Sequence, residues 1–290
     1  MDEKDIQILL TLAEHQNLTR TAERLYMTQP ALTSRIQRLE KDLNAQLLQR
    51  SAKGVSFTPA GQIAVEFAKS CSINFRKLRE QIRAEHGMIQ GTLHLGCSTQ
   101  YAKACLPAIL AEFIRLYPSI SVDVVVDRSI NIQNELNRGR FPLAVIRGNF
   151  LWRGYKIPLS TESYWLVCKD ADARANLSEV PYIHQKIDLQ GSEQADEWVR
   201  NNLDFHPKAI VESNSLDVCV SLVSMGLGWA ILPEICLGDF HGYREKICSV
   251  DGQPILRNTF LCYKESECTL PHIQAFIRYM KMIHGLADDA

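Results

Sequence analysis

The chain of 290 residues carries 32 Lys and Arg against 33 Asp and Glu, a formal net charge of −1, and 46% hydrophobic residues. Such a length suits about two domains, and the charge balance excludes a simple polycation. No uncharged stretch approaches the roughly 18 residues of a membrane span, and Met1-Asp2-Glu3-Lys4-Asp5 lacks the cationic and apolar parts of a secretory leader. A cytoplasmic protein without a membrane partner is expected. The nine cysteines form no C-x-x-C pair and no His/Cys cluster at ligand spacing, which points to a reducing compartment and to no metal site.

In chain order, Ile6, Leu9, Leu10 and Ala13 stripe a first helix. Asn17 to Leu25 makes a short second helix with Leu18, Ala22 and Leu25 on one side, and Tyr26-Met27 turns the chain. Thr28 caps a third helix, and Pro30 falls in its opening turn, where a missing N–H costs little. Leu32, Ile36, Leu39 and Leu43 recur at helical spacing as a buried stripe. Gln29, Thr33, Ser34, Arg35, Gln37 and Arg38 are left outside. Gln pairs bidentately with adenine, Arg with guanine or phosphate, and Thr offers a hydroxyl or a methyl. On this stretch alone, an ordinary amphipathic helix with a solvated polar face explains the pattern equally well. A short helix, a turn and such a helix together make a helix-turn-helix, which lays its second helix in the major groove. Lys53-Gly54 then reads as the tip of a β-hairpin that sets Arg50 and Lys53 against phosphate. Between Arg20 and Lys53, bases outnumber acids, which suits a DNA reader.

From Asn17 to Gly61 the motifs Thr28-Gln29-Pro30-Ala31-Leu32-Thr33, Arg38-Leu39-Glu40, Leu47-Leu48-Gln49-Arg50 and Thr58-Pro59-Ala60-Gly61 stand in order. Farther on come Gly91-Thr92-Leu93-His94-Leu95-Gly96, Leu143-Ala144-Val145-Ile146-Arg147-Gly148 and Gly226-Leu227-Gly228-Trp229-Ala230-Ile231-Leu232-Pro233. In these segments the chain resembles the LysR-type transcriptional regulators over nearly its whole length, least between about Asp170 and Lys208. The resemblance implies an α/β protein overall: an N-terminal, mainly helical winged helix-turn-helix (1–58), a linker helix for dimerisation (59–89), and a periplasmic-binding-protein-like effector domain (90–290). It also implies that this domain has two subdomains, 90–161 with 266–290, and 162–265. Double-stranded promoter DNA, a small-molecule effector, a second or fourth copy of the chain, and RNA polymerase are the implied partners; no cofactor is implied.

Pro59 to His86 holds no Pro or Gly after Gly61, and Ile63, Phe67, Ser70 or Cys71, Asn74, Leu78 and Ile82 recur near heptad spacing. The helix either pairs with its copy or packs on its own wing domain. Gly87 and Gly91 break it. Strands at Thr92–Cys97, Ser121–Val126 and Leu143–Ile146 alternate with helices at Ala102–Leu116 and Ile130–Arg138. A second alternating unit has strands at Ser163–Cys168, Lys208–Val211 and Trp229–Ile231 around helices at Glu193–Asn202 and Leu216–Met225. The resemblance implies a crossover near Thr161, a return near Lys264 and a closing helix from Pro271 to His284.

Ligands of open α/β sheets bind beyond the carboxyl ends of the strands. That rule places Ser98, Thr99 and Gln100 after the first strand, either as anion donors or as simple N-caps. It places Arg147, Gly148 and Asn149 after the third, with Arg147 clamping a carboxylate or bridging the cleft to an acid. Ser213 and Asn214 precede a helix in the other half in the same way. Trp229 and Tyr101 would suit an aromatic effector, and His184 reads as a surface residue. Cys97, Cys105, Cys219, Cys236 and Cys262 sit in apolar surroundings as small hydrophobes. Some members of the family sense oxidants through a cysteine pair, but the corresponding stretch here, Tyr182 to Glu197, has no cysteine. No G-x-S-x-G, H-E-x-x-H or phosphate loop points to an enzyme. An architectural DNA-binding protein without a ligand is the remaining alternative.

Overall fold

The computed structural model describes residues 1–51, 54–84, 89–186, 189–264 and 268–287. The chain divides into two compact units, with the main division after residue 86.

The first unit opens with α1 (Glu3–His15), α2 (Leu18–Arg24) and α3 (Gln29–Asp42). Asp2 and Asp5 form a reciprocal capping box on α1: the Asp2 side chain accepts from the Asp5 N–H and the Asp5 side chain from the Asp2 N–H. Ile8 and Leu12 join Ile6 and Leu9 in the core, so the buried stripe of α1 is wider than predicted, while Leu10 and Ala13 lie at its edge. The stripe on α3 is Leu32, Ile36 and Leu39. Leu43, expected to extend it, is the C-cap and is 45% exposed, because the helix has already ended there. β1 (Leu48–Ser51) and β2 (Gly54–Phe57) pair antiparallel as the expected hairpin. The side chain of Arg50 and the whole of Lys53 lie outside the described residues.

α4 (Pro59–Ala84) follows. The Thr58 hydroxyl donates to the Gln46 carbonyl at 2.6 Å and accepts from the Gly61 N–H at 3.0 Å, which seats the start of α4 against the hairpin. Gly61 approaches the Leu47 carbonyl so closely that a Cβ would lie 2.1 Å from that oxygen. One face of α4 buries Ala64, Val65 and Ala68 in the unit's core. Another leaves Ile63, Phe67, Leu78 and Ile82 exposed, with Phe75 rather than Asn74 as the apolar member between them. Gly87, the expected first break, lies outside the described residues.

The second unit begins with β3 (Gly91–Ser98), α5 (Thr99–Ala104), α6 (Leu106–Leu116), β4 (Ile120–Asp127), α7 (Ser129–Asn137) and β5 (Leu143–Arg147). The single helix expected from Ala102 to Leu116 is two helices, split at Cys105 ahead of Pro107. β6 (Tyr155–Cys168), α8 (Ala171–Ala175), β7 (Tyr182–Gln185), α9 (Leu189–Asn202), β8 (Ala209–Ser213), α10 (Leu216–Ser224), β9 (Ala230–Pro233), β10 (Tyr243–Lys246), β11 (Leu256–Tyr263) and α11 (Pro271–Ile283) complete it, with a single 3-10 turn at Glu234–Cys236.

Among the described residues, one seven-stranded sheet runs β10-β6-β11-β5-β3-β4, with β9 also on β6. β4, β3 and β5 are parallel, as the alternating pattern requires. β6 and β11 are the long crossing strands, antiparallel to each other from Leu256↔Ser163 to Tyr263↔Tyr155. β6 is thus far longer than the expected strand at Ser163, and it meets β9 antiparallel, not as the start of a second parallel unit. β11 pairs with β5 from Thr259 onward, so the chain returns to the first half before Lys264. β7 and β8 form a parallel pair, tied to the start of β9 by the Ile183 N–H to the Trp229 carbonyl at 2.8 Å. Cores lie on each half: Ile132, Leu136, Phe141 and Ile146 on the first, and Leu166, Trp198, Trp229 and Ile231 on the second.

Candidate functional site

The first candidate is the exposed face of α3. Asn17 caps α2 by accepting from the Arg20 N–H. The turn that follows places Tyr26 at φ 54, almost wholly exposed. Thr28 accepts from the Ala31 N–H at 3.4 Å, so α3 begins as predicted. Gln29, Pro30, Ser34, Gln37 and Arg38 are exposed, and Gln29 Nε2 donates to Thr33 Oγ1 at 3.3 Å, one turn along the same face. The sequence placed Tyr26 in the turn, but not its exposure beside α3. Glu40 proves structural: its carboxylate accepts from the Leu47 and Leu48 N–H groups at 2.7 and 3.1 Å and so fixes the entry to the hairpin.

Arg35 departs from expectation. It does not stand free on the outer face: its Nε donates to Asp5 Oδ1 at 2.6 Å and its Nη2 to the Asp2 carboxylate. Asp5 is buried, and Arg38 Nη2 lies 3.9 and 3.8 Å from the Asp2 and Asp5 carboxylates. The physical reason is position: Arg35 precedes Ile36 on the flank of the buried stripe, where the acidic start of α1 packs against α3. The Asp5 N–H, then Arg35, hold the Asp2 carboxyl below its ordinary range, and Asp5 holds Arg35 still more firmly protonated.

The second candidate is a cavity of about 240 Å³ in the second unit. Ser98, Thr99, Gln100, Arg147 and Asn214, all predicted, line it. Gly148, Asn149 and Ser213 do not. Gly148 adopts φ 104 and donates its N–H to the Asn258 carbonyl, while Ser213 makes a local turn with Ser215. Arg128, Ser129, Tyr164, Gln185 and Arg257 line the cavity unpredicted. The strand-end rule reaches Arg128-Ser129 once β4 is placed, but Tyr164 lies near the start of the predicted strand at Ser163 rather than beyond its end, and Arg257 lies on β11, which was not predicted.

Two of its arginines, Arg147 and Arg257, are more than nine-tenths buried. Arg147 pairs with Glu162, whose other oxygen accepts from the Ile235 N–H at 2.6 Å; of its two expected roles, the bridge is therefore formed. Arg257 Nη1 donates to Tyr164 Oη at 2.7 Å. Ser98 Oγ is buried, caps no helix and has no hydrogen-bond partner among the described residues. The first turns of α7 and α10 border the cavity through Ser129 and Ile130 and through Ser215 and Leu216, so the positive ends of two helix dipoles lie at its edge. Asp217 is the one carboxylate in the lining, and Lys103 Nζ pairs with it at 2.7 Å.

Several other expectations are corrected. Trp229 is fully buried, its ring tilted against Tyr182 in the core, and Tyr101 is buried with its hydroxyl 3.3 Å from His284 Nε2; neither lines the cavity. His184 is not a surface residue but lies on β7, largely covered, with Nε2 3.1 Å from Asp196. All nine cysteines are free. Burial pushes the thiols of Cys97, Cys236 and Cys262 up to about 12, so they stay protonated and weakly nucleophilic near neutrality.

Residues 4–62 match the model of the bacterial regulatory helix-turn-helix protein, lysR family, and residues 86–282 match the LysR substrate binding domain. The chain is 31% identical to the HTH-type transcriptional regulator YraN of Bacillus subtilis over 97% of this chain and 98% of that protein. It is 28% identical to the regulator IlvY of Escherichia coli over 82% of this chain and 83% of that one. Full-length CbnR complexed with its target DNA superposes with a TM-score of 0.71 at 18% identity, over 97% of this chain and 99% of that one. OxyR of Pseudomonas aeruginosa gives 0.66 at 20%, over 99% of each chain. With both domain models in order and relatives that are regulators rather than enzymes, the chain belongs to the LysR family of DNA-binding transcriptional regulators, and its second unit is the family's effector-binding domain.

Proposed function

We propose that this regulator answers to a small anionic metabolite bound in the cavity of its second unit. The observation that carries the reading is the lining: Arg128, Arg147 and Arg257 against the single carboxylate of Asp217, with two helix starts at its edge. A carboxylate or phosphate there takes charge-assisted hydrogen bonds in a place where desolvation makes them strong. Ser98, Thr99, Gln100 and Asn214 supply neutral donors, while Gly148, Asn149 and Ser213 shape the approach rather than touch the ligand. Ligand and Glu162 compete for Arg147, so occupancy can change how the crossing strands and the 3-10 turn are tied together. Only a difference in affinity between two arrangements lets a ligand act as a switch.

In the same reading, the unit at 1–58 holds promoter DNA: Gln29, Thr33 and Ser34 approach base edges, and Thr28, Pro30, Arg38, Arg50 and Lys53 face the backbone. α4, within a linker of 59–89, pairs with its copy in a homodimer or homotetramer. The domain at 90–290 comprises two subdomains that share the cavity, RNA polymerase is a further partner, and the protein works in the cytoplasm.

Thermal melting of the full chain against separate small carboxylates, phosphate esters and neutral aromatics tests the ligand reading. At one hundred times its Kd a ligand adds about 2.7 kcal/mol, which for a unit of this size raises Tm by about 5–10 °C. The expected result is a rise with an anionic compound that is lost in Arg128→Gln. Stabilisation by neutral compounds alone would contradict it.

A further inference from the structure

The acid pair at the start of α1 has a consequence for how α3 meets DNA. Asp2 and Asp5 engage two of the three guanidinium nitrogens of Arg35, with a bond from Nε at 2.6 Å and a second from Nη2. They also stand within 4 Å of Arg38. These four groups sum to zero charge. Of the two arginines that α3 carries, one is thus held by intramolecular ion pairs and the other is partly neutralised. Each carboxylate gives Arg35 one oxygen, so the two together meet the guanidinium fork through two oxygens, as a backbone phosphate can.

We propose that Asp2 and Asp5 act as a built-in substitute for backbone phosphate, withholding Arg35 and tempering Arg38 so that α3 reads DNA through its neutral side chains. Gln29, Thr33, Ser34 and Gln37 carry sequence information through hydrogen bonds, whereas an unshielded guanidinium attracts any phosphate. The shield lowers affinity for random DNA more than for the matching site, and discrimination rises. Asp2 and Asp5 are therefore specificity-setting, positioning residues that act through Arg35 and Arg38.

The two carboxylates differ in a way that makes this testable. Asp5 is 2% exposed, and its removal threatens the fold. The Asp2 side chain is 56% exposed, and Asn caps a helix as well as Asp does. Asp2→Asn therefore removes the charge and keeps the cap. Full-length parent and variant are titrated by fluorescence anisotropy with a scrambled duplex and with a fragment selected by the parent from genomic DNA, between 50 and 200 mM salt. Each phosphate contact regained steepens the slope of log K against log salt by about 0.9, a further change of about 3.5-fold across that range. Asp2→Asn should gain about one such contact on the scrambled duplex, and the preference for the selected fragment should fall several-fold. Asp2→Glu should restore the parent slope.

Glu14→Gln, which removes the same charge from the exposed last turn of α1, controls for net charge alone and should leave the slope nearly unchanged. Asp5→Asn, if its Tm shows it folded, should steepen the slope at least as much as Asp2→Asn. Parallel slopes for parent and Asp2→Asn, or an equal change in Glu14→Gln, would overturn the proposal.

Discussion

His272 is a buried histidine at the start of α11, and Gly91, at φ 145, lies over its ring so closely that a Cβ would stand 2.7 Å from Nδ1. Burial pushes its pKa below the ordinary 6.5, more strongly than its hydrogen bond with the Thr92 backbone raises it. Burial likewise lowers His284. A histidine whose folded pKa is depressed binds its proton more readily when unfolded. Its contribution is complete above about 6.5 and is lost as pH falls through the folded value. The Tm of the full chain should therefore drop as pH is lowered from 7.5 toward 5.5. His272→Gln should show a shallower drop from a lower starting Tm; an unchanged pH slope in that variant would assign the acid sensitivity elsewhere. At this scale the sequence was half legible. The polar face of α3 follows from helical spacing, and the Ser98-Thr99-Gln100 junction of β3 and α5 from the strand-end rule together with the family resemblance. The partners of Arg35 and Arg147 do not, because Asp5 and Glu162 reach them only through tertiary packing.

α4 shows what one element can carry on two faces. Ala64, Val65 and Ala68 serve the core of the first unit, and the stripe from Ile63 to Ile82 stays in solvent. Both readings of this helix, packing on its own domain and pairing with a copy, thus have a face of their own. Burying the outer stripe in a second copy removes exposed apolar area. An unpaired carboxylate placed in such a seam costs about 3 kcal/mol or more, which is about a hundredfold in association. Leu78→Glu should shift the protein toward monomer in sedimentation equilibrium and weaken binding to a two-half-site duplex. A dimer unaffected by Leu78→Glu and Phe67→Glu would place the contact on another surface. Helix periodicity made α4 readable to within a few residues. It failed at α5 and α6, where Pro107 and the break at Cys105 interrupt one apolar stripe without changing its period. Of the crossing strands, only the Ser163–Cys168 end of β6 was read from the sequence, and β11 was not, for a different reason. β6 passes from a largely exposed start to a buried end, and β11 from alternating burial to a continuous buried run, so no single period spans either strand.

On the scale of the whole molecule, two units joined through the end of α4 divide the work of a regulator, one bearing a polar helix face and the other an arginine-lined cavity. The order of motifs along the chain was enough to assign both. The floor of the cavity emerged only once β6 and β11 carried Tyr164 and Arg257 beside Arg147. Nothing in the cavity matters to transcription unless its occupancy alters DNA binding, and that coupling is the central claim. Its most direct measurement is selection of genomic fragments by the purified full chain, with and without pools of small carboxylates, followed by sequencing of what is retained. The account predicts enrichment of a short inverted repeat and a changed footprint with at least one acid pool. Retention of random DNA, indifferent to every pool, would contradict it and favour an architectural protein without a ligand.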